Sequence, residues 1–332
     1  MKTTIPNKLK PGDEVRIIAP SRSMAILSKE IREIADRRFT DLGLKLSFGK
    51  HIEEKDDFGS SKIESRVLDL HEAFYDKNVK AILTAIGGFN SNQLLKHLDW
   101  ELIRKNPKIF CGYSDITILN NAILEKTGLV TYYGPHYSSF GQKLYFDYTL
   151  EYFKKCLMND HAFAITPSIS WFDDQWYKDQ EKRHLIDNEG WEIINEGSAN
   201  GIIIGGNLGT FNLLQGTEFF PKPDGNSILF LEDDEMAGEF SDVEFDRNLQ
   251  SIINLPKSDS IQGVVIGRFQ KASKMSVDKI SKIIKSKAEL KNLPVIANVN
   301  FGHTDPKITF PIGGEVNLLA KDGKVKLELI KH

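Results

Sequence analysis

Lys108-Ile109-Phe110-Cys111-Gly112-Tyr113-Ser114-Asp115-Ile116 is an apolar run, a glycine turn and the opening of a helical stretch that continues to Glu125. A short buried strand that turns sharply into a helix is the unit of a parallel α/β sheet. The same alternation extends outward on both sides. Val15–Ala19 reads as a strand and residues 25–41 as a helix. Ser61–Tyr75 is helical, with Ile63, Val67, Leu70 and Phe74 on one face. Val79–Ala85 is a strand closed by Gly87-Gly88, Ser91–Leu98 a short helix, and Leu129–Tyr132 a strand.

Residues 166–200 break the alternation. They hold Trp171, Trp176 and Trp191, many acids and few periodic apolar residues. They read as an excursion between two halves, either a hairpin or a long loop. Its tryptophans either serve function or plug the junction. Alternation resumes at Gly201–Ile204, followed by Gly205-Gly206-Asn207 and a helix over Leu208–Gln215. Strands at Ser227–Leu231, Gly263–Gly267 and Pro294–Val299 flank helices at Glu244–Leu255 and Val277–Lys287. The tail alternates as antiparallel strands do. The expected organisation is an α/β unit over 1–165, a connecting segment over 166–200 and a second unit over 201–332.

Composition narrows the class. The chain has 332 residues, with 43 Lys plus Arg against 46 Asp plus Glu, a net charge of -3. That balance argues against a nucleic-acid partner. Cys111 and Cys156 are isolated thiols, with no disulfide framework and no metal or redox spacing. No zinc-ligand cluster, Walker loop or early Gly-x-Gly-x-x-Gly appears, so no cofactor is expected. There is no signal-peptide pattern and no apolar run long enough for a bilayer. A soluble cytoplasmic protein without a membrane partner is the expectation.

Three polar residues stand directly after strands: Ser114, Glu232 and His303. Sites in open α/β sheets form at the carboxyl ends of strands. Ser114, raised on a tight turn before a helix, is placed as a nucleophile, although Ile116 stands where Gly-x-Ser-x-Gly has its second glycine. The bland alternative is a helix cap. The Asp115 N–H and the Gly87-Gly88 turn are candidate oxyanion donors. His303, in Gly302-His303-Thr304-Asp305-Pro306, is the natural base, with His136 its main rival. Glu232 opens the run Glu232-Asp233-Asp234-Glu235 and is placed as the acid that orients the imidazole; the alternative is a solvated acidic loop.

Six short segments together resemble the S66 serine peptidases, meaning LD-carboxypeptidases and microcin C immunity proteins. They are Leu9–Asp13 with Ile18–Ser21, Ala85–Gly88, Gly112–Asp115, Gly205–Leu208, Leu229–Asp233 and Gly302-His303. The resemblance implies a flavodoxin-like N-terminal α/β domain and a C-terminal α/β domain with β-barrel character. It implies a Ser114, Glu232, His303 triad, an oxyanion hole from the N–H groups of Gly88 and Asp115, no metal, and a homodimer. The 166–200 segment is longer than in compact LD-carboxypeptidases and is similar to the microcin-immunity branch, where a loop aromatic stacks on a nucleobase. Trp176 and Asn207 are the substrate-binding candidates on that footing, with Trp171 and Trp191 left open. The substrate expected is a murein tetrapeptide that loses D-Ala, or else a peptidyl- or aminoacyl-nucleotide. A non-catalytic binding protein on the same fold is the rival of another class.

Overall fold

A computed structural model describes residues 3–222, 225–256 and 258–332. In chain order the first half runs β1 (Glu14–Ile18), α1 (Lys29–Asp41), β2 (Lys45–Phe48), α2 (Ile63–Tyr75), β3 (Val79–Thr84), α3 (Trp100–Lys105), β4 (Ile109–Cys111), α4 (Thr117–Thr127), β5 (Thr131–Tyr133), α5 (Asp147–Leu157) and β6 (Phe163–Ile165). The second half runs β7 (Ser170–Trp171), β8 (Ile186–Asp187), β9 (Glu192–Asn195), β10 (Gly197–Asn207), α6 (Leu208–Asn212), β11 (Ser227–Glu232), α7 (Ser241–Ile253), β12 (Ile261–Gly267), α8 (Val277–Lys285), β13 (Val295–Val299), β14 (Phe310–Ile312), β15 (Glu315–Lys321) and β16 (Lys324–Lys331).

The first sheet has the order β14-β5-β4-β3-β1-β2. Its first five strands are parallel, in the doubly wound order 2-1-3-4-5. Ile17, Ile18, Ile82 and Phe110 are fully buried in it. Such strands carry apolar residues on both faces because helices cover both. The segment Ser91–His97 is a 3-10 helix.

The second sheet has the order β6-β16-β15-β10-β11-β12-β13-β9. β10 to β13 are parallel; β15, β16, β6 and β9 run antiparallel on the flanks. Two strands are exchanged between the halves. β14 pairs with β5 in the first sheet, and β6 pairs with β16 in the second. The excursion over 166–200 proves to be a two-stranded hairpin, β7 with β8, followed by edge strand β9 and the start of β10.

Gly205-Gly206-Asn207 extends the strand expected at Gly201–Ile204 and ends β10, because its ladder to β11 continues to Asn207 opposite Glu232. These glycines let α4 approach. A Cβ at Gly206, where φ is +127°, would lie 2.6 Å from Thr117 Oγ1. Asn121 Nδ2 donates to the Gly205 carbonyl at 2.7 Å, and the Asn207 N–H donates to Thr117 Oγ1 at 3.0 Å. The helix behind Ser114 is thereby pinned to the strand beside Glu232. No helix among the described residues is long and apolar enough to cross a membrane.

Candidate active site

Ser114 sits where β4 ends and a 3-10 turn, Ser114–Ile116, leads into α4. Its φ is +60°, the left-handed region that a β-carbon disfavours by about 1–2 kcal/mol. Gly112 makes the turn possible, since a Cβ there would come 2.3 Å from Thr84 Oγ1. The elbow thus lacks its second glycine and carries the strain on the serine itself.

His303 and Glu232 meet this serine. His303 Nε2 lies 3.0 Å from Ser114 Oγ, and His303 Nδ1 lies 2.8 Å from Glu232 Oε2. With Nδ1 facing a carboxylate, that nitrogen holds the ring proton and Nε2 is left to accept from the hydroxyl. Glu232 is fully buried, and its Oε1 accepts from the Tyr133 hydroxyl at 2.6 Å. Burial pushes the Glu232 carboxyl up, but His303 and then Tyr133 outweigh it and hold it below its ordinary value. For His303, burial pushes down while the charge and hydrogen bond of Glu232 push up, and the net value is raised. Gly302 is required beside them. Its φ is +106°, and a Cβ would lie 2.7 Å from Glu232 Oε2.

The Gly87-Gly88 turn after β3 packs against the elbow. A Cβ at Gly87 would lie 3.1 Å from Ser114 Cβ, 3.2 Å from its Oγ and 3.3 Å from His136 Nε2. The N–H groups of Gly88 and Asp115 make no hydrogen bond to the described residues. The Asp115 side chain is buried and occupied: Ser21 Oγ donates to it at 2.5 Å, and the N–H groups of Asn90 and Ser91 at 3.0 and 2.9 Å. It ties the loops after β1, β3 and β4 together.

Comparison with known proteins follows the same lines. Residues 15–134 match the LD-carboxypeptidase N-terminal domain of peptidase S66, and residues 200–318 match its C-terminal domain. The chain is 53% identical to YocD of Bacillus subtilis, over 98% of this chain and 99% of that one. It is 32% identical to the microcin C7 self-immunity protein MccF of Escherichia coli, over 82% and 80% of the two chains. The crystal structure of an MccF-like protein from Bacillus anthracis superimposes with a TM-score of 0.98 at 52% identity, covering 99% of this chain and 100% of that one. The chain belongs to the S66 peptidase family.

In this S66 peptidase a cleft of about 380 Å³ opens beside Ser114. Gly88 and Phe89 form one wall, and Asn207, Asp233 and Asp234 another. Asn207 accepts from the Thr210 N–H at 2.9 Å, capping α6, and donates to Asp233 Oδ1 at 3.1 Å. Burial first, then the charges of Glu232 and Asp234, raise the Asp233 carboxyl to about 7. Asn207 therefore stands at the site.

Trp176 does not reach this cleft. It is half-buried in the excursion and packs edge-on against Tyr177 at 6.0 Å. Trp171 stacks with Arg268, 4.8 Å from its ring centre, and Trp191 Nε1 donates to Asn300 Oδ1 at 3.4 Å.

His136, the rival base, is buried under the elbow. It stacks on Tyr113 at 4.3 Å, and its Nδ1 meets Thr84 Oγ1 at 2.7 Å. Burial, with His303, Lys307 and Arg22 around it, drives its pKa well down and keeps the ring neutral. Its Nε2 has no hydrogen-bond partner among the described residues. Sequence reasoning missed Tyr133 and Tyr113. Their only signal is position, at the end of β5 and just before Ser114. Both cysteines are buried and free.

Proposed function

We propose that the chain is a serine-type carboxypeptidase in which Ser114, His303 and Glu232 work as one relay. The observation that carries this is the unbroken chain of contacts from Ser114 Oγ to His303 Nε2 at 3.0 Å and from His303 Nδ1 to Glu232 Oε2 at 2.8 Å. The hydroxyl gives its proton to Nε2 as its oxygen attacks the amide carbon. Glu232 steadies the imidazolium that results. The N–H groups of Gly88 and Asp115 receive the developing oxyanion, helped by the positive end of α4. His303 returns the proton to the leaving amine. Water, activated by the same imidazole, then releases the acyl group from Ser114.

The substrate of this reading is a murein tetrapeptide that loses its terminal D-Ala. A relative from Pseudomonas aeruginosa named murein tetrapeptide carboxypeptidase, 25% identical over 90% of this chain, supports it. A second reading is hydrolysis of an aminoacyl-nucleotide amide. It is favoured by the solved microcin C7 self-immunity protein in complex with aspartyl sulfamoyl adenosine, which has a TM-score of 0.87 and 28% identity. A homodimer in the cytoplasm accompanies either reading.

The test is a side-by-side assay of murein tetrapeptide and an aminoacyl sulfamoyl adenosine, with labelling of Ser114 by a serine-directed phosphonate. Release of D-Ala that stops on labelling supports the first reading; cleavage of the nucleotide amide alone selects the second. A chain that turns over both substrates after full labelling overturns the assignment of Ser114.

A further inference from the structure

Arg22 occupies the point in the first sheet where chain order reverses. From β1 the chain leads through α1 to β2 on one side, while β3 lies on the other. The loops after β1 and β3 therefore diverge, and ligands of doubly wound sheets bind in the crevice between them. Ser21-Arg22 is the first of those loops and Gly87-Gly88 the second.

The arginine is held there by its backbone and its Nε. The Arg22 N–H and Nε both donate to the Gly87 carbonyl at 3.3 Å. Its Cγ would lie 2.9 Å from a Cβ on Gly88, so only glycine lets it lie against the turn. The guanidinium carbon stands 5.6 Å from the ring centre of Phe89, a cleft-wall residue that is 62% exposed.

Arg22 is half-buried, yet it forms no ion pair and no Nη hydrogen bond among the described residues. Arg66, from α2, shows the ordinary outcome in this fold. Its Nη atoms donate to the carbonyls of Pro20 and Asn90 and to the side chains of Asn90 and Gln93. A partly desolvated guanidinium with both fork nitrogens open is matched by a carboxylate, which accepts two parallel hydrogen bonds.

The far side of the cleft is the opposite in charge. Asp233, Asp234 and Glu244 line it, while the near-side carboxylate, Asp115, is buried and already accepts from Ser21, Asn90 and Ser91; no lysine or arginine lines the cleft among the described residues. A substrate lying across Ser114 therefore has carboxylates on one side and, bordering the cleft behind Gly88 and Phe89, the guanidinium of Arg22 on the other. Like charges in such a cleft repel, so a terminal carboxylate is steered to the Gly87-Gly88 side.

We propose that Arg22 is the receptor for the free terminal carboxylate of the peptide cleaved at Ser114. This rests on the carboxypeptidase reading above. It adds the group that makes the enzyme require a chain end, and it fixes which way the peptide lies in the cleft.

The experiment measures binding separately from turnover. A tetrapeptide ending in free D-Ala and the same peptide with an amidated end are titrated calorimetrically into Ser114→Ala protein. The free acid is expected to bind at least tenfold tighter than the amide. Adding Arg22→Gln collapses that preference toward one, and Arg22→Lys, which keeps the charge without the fork, retains part of it. Arg22→Lys also serves where Arg22→Gln fails to fold.

Equal binding of acid and amide, equal weakening of both by Arg22→Gln, or no binding of the acid overturns the proposal. Turnover by protein with Ser114 intact is scored separately. Arg22-dependent binding of the acid without its hydrolysis would break the carboxypeptidase reading and leave the carboxylate receptor standing.

Discussion

The loop at Ser114 and the strand end at Glu232 face each other through His303, and they hold their functional oxygens by opposite means. Ser114 stands at φ +60°, half-exposed, and among the described residues its hydroxyl meets a single side chain, His303. Glu232 ends a regular strand, is 0% exposed, and has partners on both oxygens. Around Glu232 the packing leaves no slack: a Cβ on Gly267 would lie 2.8 Å from its Cβ, and one on Gly302 would lie 2.7 Å from its Oε2. One side stores backbone strain; the other bears the cost of a desolvated charge. The strained side should therefore tolerate substitution in stability terms, while the buried side should not.

The largest expected effect tests the strained side. Ser114→Ala should lower kcat by about 10⁴-fold or more, because the relay loses its reacting atom. Its melting temperature should stay near that of the wild type. Ser114→Gly should be equally inactive, yet at least as resistant to urea as Ser114→Ala, by up to about 1 kcal/mol, since glycine carries a positive φ freely. A clearly less stable glycine variant would remove the strain from the comparison.

Glu232→Gln comes next, with kcat lower by about 10³–10⁴-fold. Its sharper readout is pH. His303 must be neutral to accept the Ser114 proton, so kcat/KM rises with pH through the folded-state pKa of the imidazole. That pKa is raised above 6.5 because Glu232 outweighs burial, which pulls it down. The wild-type acid limb should thus have its midpoint above 6.5. In Glu232→Gln burial acts against a weaker opponent and the midpoint moves to lower pH. An unmoved midpoint in the pH profile would mean that Glu232 does not act on the imidazole.

Much of this site was legible in the sequence. Ser114, Glu232 and His303 each follow an apolar run, and apolar runs in a parallel sheet end where polar loops converge. Elements with a strong period, such as α2 and β11, were read within two residues of their ends. What was hidden depends on contacts between distant segments. β2 is an edge strand with no buried residue, so Lys45-Leu46-Ser47-Phe48 shows no alternation. The exchange of β6 and β14 between the sheets is written in no local pattern. The hydrogen bond from Tyr133 to Glu232 spans 99 positions. The resemblance alone points to Trp176 as a substrate contact; its ring packs edge-on against Tyr177 and is not among the residues that line the cleft beside Ser114.

Two alanine scans at glycine probe the comparison more finely. Gly302→Ala puts a β-carbon against Glu232 at a φ of +106°, so it should lower both activity, by about 10²-fold, and stability, by about 1–3 kcal/mol. Gly87→Ala only crowds Ser114 and His136, at 3.1–3.3 Å, without a positive φ. It should lower kcat about tenfold while costing under about 1 kcal/mol in urea unfolding. Equal destabilisation by the two would show that the loop at Ser114 is packed as tightly as the strand end at Glu232.

The smallest effect lies one residue outside the buried side. Asp234 raises the His303 pKa, but it follows Glu232 among the causes and has no hydrogen bond to the ring. Asp234→Asn removes that charge and leaves the Glu232 contact in place. Losing a negative neighbour disfavours the imidazolium, so the acid limb should move to lower pH, by less than in Glu232→Gln. The side chain also accepts from the Met236 N–H at 2.8 Å, a bond that asparagine can keep through its carbonyl oxygen. The plateau of kcat should therefore hold while the limb moves. A shift that equals or exceeds the one in Glu232→Gln would mean that the acids of the open cleft, more than the buried carboxylate, set the charge on His303.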